Sequence, residues 1–123
     1  GYLEVIGAKR LSAEFGSVLE AANAAQPQPF SFNYAYDVPG HPLQYYCRAD
    51  HYSYARYGIP SVSLSRGEHL DYHQITDEAH YIDYEDLARV AMLVRDAAVR
   101  VANLDHRPKL DHPRGDPHAP CVQ

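Results

Sequence analysis

The chain has 123 residues, and its 11 Lys and Arg against 16 Asp and Glu give a formal net charge of −5 at neutral pH. This mildly acidic balance argues against a nucleic-acid-binding protein, because such proteins concentrate basic side chains on one surface. A hydrophobic share of 46% predicts a folded chain, and the lack of any run of about 18 apolar residues argues against a transmembrane helix. We therefore expect one domain or part of one, with no nucleic-acid or membrane partner.

The beginning of the chain predicts a strand, a helix and a second strand. Residues 2–6 are typical of a short strand that is closed by Gly7. Ser12 is a candidate N-cap for a helix whose apolar residues recur at helical spacing until the prolines at 27 and 29. From Phe30 to Tyr36 apolar and aromatic residues alternate, which indicates a half-buried strand.

The middle of the chain predicts short elements separated by loops. Residues 43–47 are interpreted as an extended piece, and residues 50–57 as a short helix ended by Gly58. Residues 59–65 predict a strand, and we expect its 61–65 part to be buried and central in the sheet. A polar loop follows at 66–79, on the carboxyl side of a strand, where α/β sheets commonly place their sites.

The clearest element is a long helix after Asp83, a candidate N-cap. One apolar face runs along this helix, and its residues are Leu87, Val90, Ala91, Val94, Ala98 and Val101. Pro108 ends the pattern, and residues 109–123 are a proline-rich tail without apolar periodicity. The order of elements predicts an α/β layered domain with few strands.

The two cysteines, Cys47 and Cys121, form no closely spaced pair of the kind that binds metals. One disulfide and two free thiols both fit this spacing, so the cysteines leave the redox compartment open. The chain opens on Gly1 with neither a methionine nor a leader-type segment, so we expect a processed product or a part of a longer protein.

The polar loop is rich in the side chains that bind catalytic zinc. It contains Glu68, His69, Asp71, Tyr72, His73, Asp77 and Glu78, with His80 directly after it. Composition alone favours a solvated loop, and the chain contains no H-E-x-x-H helix and no G-x-S-x-G elbow. Asp50 before the short helix is interpreted either as its N-cap or as a carboxylate that orients a ligand or a base.

Four segments in order resemble the di-zinc aminopeptidase family of clan MH, which also includes glutamate carboxypeptidase and glutaminyl cyclase relatives. They read R-A-D-H-Y-S-Y at 48–54, Y-G-I-P at 57–60, D-Y-H-Q-I-T-D-E at 71–78 and I-D-Y-E at 82–85. The family pattern is S-D-H-x-x-F, G-I-P, Y-H-T-P-x-D-T and I-D-Y-E, and the departures from it remove no ligand. The resemblance covers about residues 1–108 and implies the C-terminal part of a three-layer α/β/α zinc-peptidase domain with a mixed sheet.

The resemblance also implies roles for three residues. His73 matches the last zinc-ligating histidine of the family, and Tyr72 matches a tyrosine that donates a hydrogen bond to the oxyanion of the tetrahedral intermediate. Asp50 matches an acid that hydrogen-bonds among the catalytic carboxylates. The implied activity is hydrolysis of a peptide substrate at a site with two zinc ions, most simply as an aminopeptidase.

The family's other ligands and its general base have no counterpart in these 123 residues, and one ligand cannot hold zinc. We therefore expect the chain to supply only the C-terminal part of the site and to be inactive alone. We expect its partner to be an N-terminal half, or a second copy of the chain that associates through an exposed sheet edge. A non-catalytic scaffold is one alternative. A glutaminyl-cyclase-like acyltransferase is another, although such relatives usually carry Trp where Tyr72 stands. The resemblance favours a secreted or periplasmic location.

Overall fold

The computed structural model describes all residues, 1–123, and contains three strands and four α-helices. The strands are β1 (Tyr2–Ile6), β2 (Ser31–Asn33) and β3 (Ser63–Ser65). The helices are α1 (Ala13–Ala24), α2 (Tyr45–Arg48), α3 (Tyr52–Ala55) and α4 (Tyr84–Ala102), with 3₁₀ turns at Ala35–Asp37 and Ala79–Tyr81. No helix combines the length and the apolar character that crossing a bilayer requires.

The strands form one mixed sheet in the order β2-β1-β3, which confirms the predicted α/β class with a mixed sheet. β1 pairs in parallel with β2 and antiparallel with β3. The expectation that residues 61–65 form the central strand is wrong. β1 is the central strand, since it pairs with a strand on each side, and its Leu3 and Val5 are fully buried. β3 is half-buried and has a neighbour on one side only.

The two faces of β1 pack against different sets of helices, since alternate side chains of a strand point to opposite faces. Leu3 and Val5 face α1 and α4 and form a core with Leu19 and Leu93. On the other face, Ile6 packs with aromatic and aliphatic side chains of the α2 and α3 region. The sheet therefore lies between a layer of long helices and a layer of short helical turns.

Both predicted helix N-caps are confirmed. The Ser12 side chain accepts a hydrogen bond from the Phe15 amide at 3.1 Å, and the Asp83 carboxylate accepts one from the Asp86 amide at 3.0 Å. These contacts satisfy amide groups that have no partner within the first helical turn. α4 ends at Ala102, before the Pro108 that the sequence suggested as its end.

Four short elements differ from the sequence prediction, and one of them is the strand predicted at 59–65, which is limited to Ser63–Ser65. The alternating segment 30–36 is a strand only at Ser31–Asn33, and its end turns into the 3₁₀ segment. Residues 43–47, predicted as extended, lead into α2, because Gln44 takes a left-handed conformation at φ 50° and starts a helical turn. The helix predicted at 50–57 is limited to α3, and Gly58 follows it at φ 77°, as expected of a residue that ends a helix.

The buried face of α4 coincides only in part with the apolar face that the sequence pattern indicates. Leu93 is fully buried, and Val90 and Ala97 pack against the same core, whereas Leu87 and Val94 of the predicted face are about half exposed. α4 is oriented by its packing on α1 and by the Arg66–Asp86 ion pair at 2.5 Å. Most of the predicted apolar face of α4 therefore lies beside the sheet and does not pack on it.

Residues 109–123 contain no helix or strand, yet they pack against the rest of the chain. Cys121 forms a disulfide with Cys47, which resolves the alternative between a disulfide and free thiols. The side chain of Gln123 is buried, accepts a hydrogen bond from the Tyr46 amide and donates to the Tyr36 carbonyl. This segment is therefore a strap across the layer that contains α2 and α3.

Candidate functional site

A cleft of about 160 Å³ opens on the face of the sheet opposite α1 and α4. It is formed by β1, β3, the α2 region and the start of the polar loop. Its lining residues are Glu4, Ile6, Tyr45, Ala49, Ser63, Ser65, Gly67, Glu68 and Tyr72. Tyr72, which the sequence analysis singled out, thus lies at the cleft, with 43% of its surface exposed.

The turn after β3 brings the polar loop to the cleft. Gly67 has φ +94°, and a Cβ atom there would lie 3.0 Å from the Tyr2 hydroxyl, so glycine is needed at this position. The Gly67 amide donates to Ser65 Oγ at 3.0 Å, and the Tyr2 hydroxyl donates to the Arg66 carbonyl at 3.1 Å. These contacts direct Glu68 back over the sheet, where its carboxylate accepts a hydrogen bond from the Tyr45 hydroxyl at 2.7 Å.

Tyr72 and His73 lie side by side in the loop. Their rings stack with centroids 4.0 Å apart and an angle of 18° between planes. His73 is exposed and has a left-handed backbone at φ 61°, and neither its imidazole nor the Tyr72 hydroxyl makes a hydrogen bond within the chain. The turn is closed by Asp71, whose side chain accepts a hydrogen bond from Thr76 Oγ1 at 2.6 Å. Both polar groups are therefore free to contact another molecule.

Asp50 is exposed and its side chain makes no hydrogen bond, whereas its carbonyl accepts one from the Ser53 amide at 3.0 Å. The interpretation of Asp50 as the side-chain N-cap of that helix is therefore wrong. No hydrogen bond joins Asp50 to Tyr72 or His73, although the neighbouring Ala49 lines the cleft. Asp50 remains near the candidate site without a defined partner in it.

The chain by itself does not form a metal site. No group of three or more His, Cys, Asp or Glu side chains converges on a point where they could hold a metal ion. The loop histidines instead lie near single carboxylates, with His69 3.9 Å from Asp77 and His80 3.2 Å from Glu78. Because zinc takes three or four protein ligands, the residues present do not fit a complete zinc centre.

Two residues of the cleft were not recognised as site candidates from the sequence. Glu4 is the only charged residue of β1, and it lies on the face opposite Leu3 and Val5 with 7% of its surface exposed. Tyr45 follows Gln44 in the segment that was predicted as extended. The hydrogen bond to Glu68 raises the pKa of Tyr45 to about 12, and the negative charge of Glu4 acts in the same direction. A charge in the middle of an apolar strand was the available signal for Glu4.

The sequence was compared with family models, curated proteins and solved structures. The model of peptidase family M28 matches residues 4–98, which is well over half of the chain. The chain belongs to peptidase family M28. This family consists of metal-dependent peptidases, so membership confirms the resemblance to this peptidase family and the hydrolase and protease class. No curated protein and no solved structure matches this M28 chain.

Proposed function

We propose that this M28 chain supplies the C-terminal part of a zinc aminopeptidase site. The supporting observation is that Tyr72 lines the cleft and stacks on His73, and both residues lie within the part of the chain that matches the family. The imidazole of His73 is the candidate ligand for one zinc ion. The hydroxyl of Tyr72 is the candidate donor to the substrate oxygen on which negative charge develops. Asp50 is the candidate acid that orients neighbouring carboxylates.

The remaining ligands come, in this proposal, from residues outside these 123. The unpaired edge of β3 is a suitable docking place for the part of the protein that carries them, because a strand can add to a free edge. Beside this edge lies an apolar groove of about 360 Å³, whose wall includes Val62, Leu64, Val94 and Ala98. An added strand would cover this groove and the exposed apolar face of α4. Self-association of the chain is the alternative use of the same edge.

A location outside the reducing cytosol also belongs to the proposal. The Cys47–Cys121 disulfide supports it, since disulfides persist mainly in secreted and periplasmic proteins. A non-catalytic scaffold is the second candidate function, and the observation that favours it is the lack of converging metal ligands in this chain.

The test compares variants of these residues in an assembly that also contains the part carrying the other ligands. We expect His73→Ala to lose about one zinc ion per assembly, measured by elemental mass spectrometry. We expect Tyr72→Phe to keep its zinc and to lower kcat on a peptide substrate by about 100- to 1,000-fold, the range for one oxyanion donor. Tyr57→Phe is the control, because Tyr57 is exposed and lies outside the cleft.

Unchanged zinc content in His73→Ala would remove His73 from the ligand set. Unchanged turnover in Tyr72→Phe would remove Tyr72 from the mechanism. An assembly that binds no zinc and hydrolyses no peptide would favour the scaffold.

A further inference from the structure

A pocket of about 520 Å³ lies away from the cleft, between the start of α1, the turn before β3 and the chain that follows α4. This volume is within the roughly 300–1,000 Å³ of pockets that bind small molecules. Its apolar wall consists of Phe15, Ile59, Pro60, Val101, Pro108 and Leu110, and Arg107 lines the same pocket. None of these residues lines the cleft, so this Arg107 pocket is separate from the candidate peptidase site.

Hydrogen bonds hold the chain after α4 against the start of α1, and they fix one wall of the Arg107 pocket. The Lys109 amide donates to the Glu14 carboxylate at 2.8 Å, and the Asp111 amide donates to the Leu11 carbonyl at 3.0 Å. Because these two bonds lie on either side of Leu110, the position of Leu110 in the wall is set by the folded chain. The pocket is therefore present without a ligand to bring its walls together.

Arg107 is the one charged residue in the wall of this pocket, and the acidic side chains near it in the chain are engaged elsewhere. His106 contacts both Glu14, at 2.7 Å, and Asp105, at 2.5 Å. The Asp111 side chain accepts a hydrogen bond from the first amide of α1 at 2.9 Å. Arg107 is exposed and makes no hydrogen bond and no ion pair within the chain. Its guanidinium is therefore free to bind an anionic group of a ligand.

The lining favours a ligand with one anionic end and an otherwise apolar body. No side chain of the wall except that of Arg107 forms hydrogen bonds, and Pro60 and Pro108 have no backbone N–H. A peptide on this wall would leave amide groups of its own without partners, which costs free energy, whereas an acyl chain has no such groups. A carboxylate matches the planar guanidinium, because it accepts two parallel hydrogen bonds from it.

We propose that the Arg107 pocket binds a medium-chain fatty acid, with the acyl chain on the apolar wall and the carboxylate on Arg107. The pocket shares only Phe15 and Val101 with the groove beside β3, so most of its wall is distinct from the surface assigned to the docking part. The proposal is independent of the peptidase function, since it uses no residue of the cleft or the polar loop.

The experiment titrates the 123-residue chain with short amphiphiles and follows its NMR signals. The probes are octanoate, hexanoate, 1-octanol, which has no charge, and acetate, which has no acyl chain. We expect octanoate to shift the Phe15, Ile59 and Val101 signals saturably, and hexanoate to bind about tenfold more weakly because it buries two methylenes fewer. We expect 1-octanol to bind about three- to tenfold more weakly than octanoate, and acetate to cause no saturable shift.

Two variants, each with a matched control, test the assignment to these residues. We expect Arg107→Gln to lower octanoate affinity to that of 1-octanol and to leave 1-octanol binding unchanged. Arg100→Gln is its control, because Arg100 is an exposed arginine outside the pocket. We expect Ile59→Asn to weaken both probes, and since Ile59 is 52% exposed the variant should fold. Ile75→Asn is its control, because Ile75 is fully exposed and lies outside the pocket.

Three results would overturn the proposal: shifts that do not saturate, 1-octanol binding as tight as octanoate binding, or an unchanged octanoate affinity in Arg107→Gln. A saturable response to acetate equal to that of octanoate would make the pocket a simple anion site and exclude the acyl chain. Shifts confined to Leu64 and Val94 would place the amphiphile in the groove beside β3 and remove it from the Arg107 pocket.

Discussion

At the scale of single residues, His51 has the most unusual environment in the chain. It has 8% of its surface exposed, packs on the Tyr46 ring at 5.4 Å, and has no hydrogen-bond partner for either ring nitrogen. Burial lowers the pKa of His51 below its ordinary value of 6.5, against the smaller opposing effect of the Asp37 charge. The folded chain therefore holds His51 as a neutral imidazole.

This environment predicts a loss of stability on acidification. Below about pH 6.5 the unfolded chain protonates His51 while the folded chain does not. The unfolded state therefore binds more protons, and this binding stabilises it relative to the folded state. We expect the free energy of unfolding to fall with pH from 6.5 down to the lower folded pKa, and His51→Leu to flatten this dependence. Urea unfolding at pH 7.5, 6.5 and 5.5 measures it.

His118→Leu is the control, since His118 is exposed and its imidazole makes no hydrogen bond. His106 acts in the opposite sense, because its pKa is raised by Asp105 and Glu14, so its contact is lost as pH rises. The comparison with His51→Leu cancels that contribution, which both proteins share. An identical pH dependence in the variant and the parent would show that His51 is not the responsible group.

At the scale of elements, α4 is amphipathic in sequence but is rotated relative to the core. Its contact stripe is Val90, Leu93 and Ala97, and much of the apolar surface around Val94 faces the open groove beside β3. A helix with apolar residues on more than one face is suited to contacts on more than one side. In this chain the helix packs mainly on α1 and on the core around β1.

The two neighbouring positions 93 and 94 therefore differ in their contribution to stability. We expect Leu93→Ala to lower the free energy of unfolding by about 2–5 kcal/mol, because it leaves a cavity in the core. We expect Val94→Ala to change it by about 0.5 kcal/mol or less, since Val94 is 47% exposed. Chemical denaturation of both variants gives the comparison. A larger effect of Val94→Ala would mean that the predicted apolar face is covered in solution.

At the scale of the whole molecule, the strap at 109–123 joins the end of the chain to the layer of short helices. Besides the disulfide, the Pro117 carbonyl accepts a hydrogen bond from Arg56 Nε at 2.8 Å. The strap also reaches the start of α1, where the Asp111 side chain accepts a hydrogen bond from the Ala13 amide at 2.9 Å. α2 and α3 have four residues each, too few for stable isolated helices. The strap and the disulfide therefore stabilise a layer with little regular structure.

Loss of the disulfide is expected to cost about 4 kcal/mol of stability, because a link between residues 74 positions apart restricts the unfolded chain strongly. The double variant Cys47→Ser/Cys121→Ser, compared with the oxidised parent by urea unfolding, measures this cost. Reduction of the parent with dithiothreitol is the matched control and should give the same loss. A cost near zero in both would show that the remaining strap contacts hold the layer without the covalent link.

The sequence alone determined the elements that depend on local patterns: β1, the caps at Ser12 and Asp83, the left-handed Gly58 and the family to which the motifs belong. The caps and the left-handed glycine follow from contacts within a few residues, such as an N-cap side chain and the amide three positions on. The tertiary structure decided which strand is central, which stripe of α4 is buried and how the strap packs. It alone placed Glu4 beside Tyr45, Glu68 and Tyr72, because these groups come from β1, α2 and the loop after β3. Periodicity gives the faces of an element, but only packing selects the one that is covered.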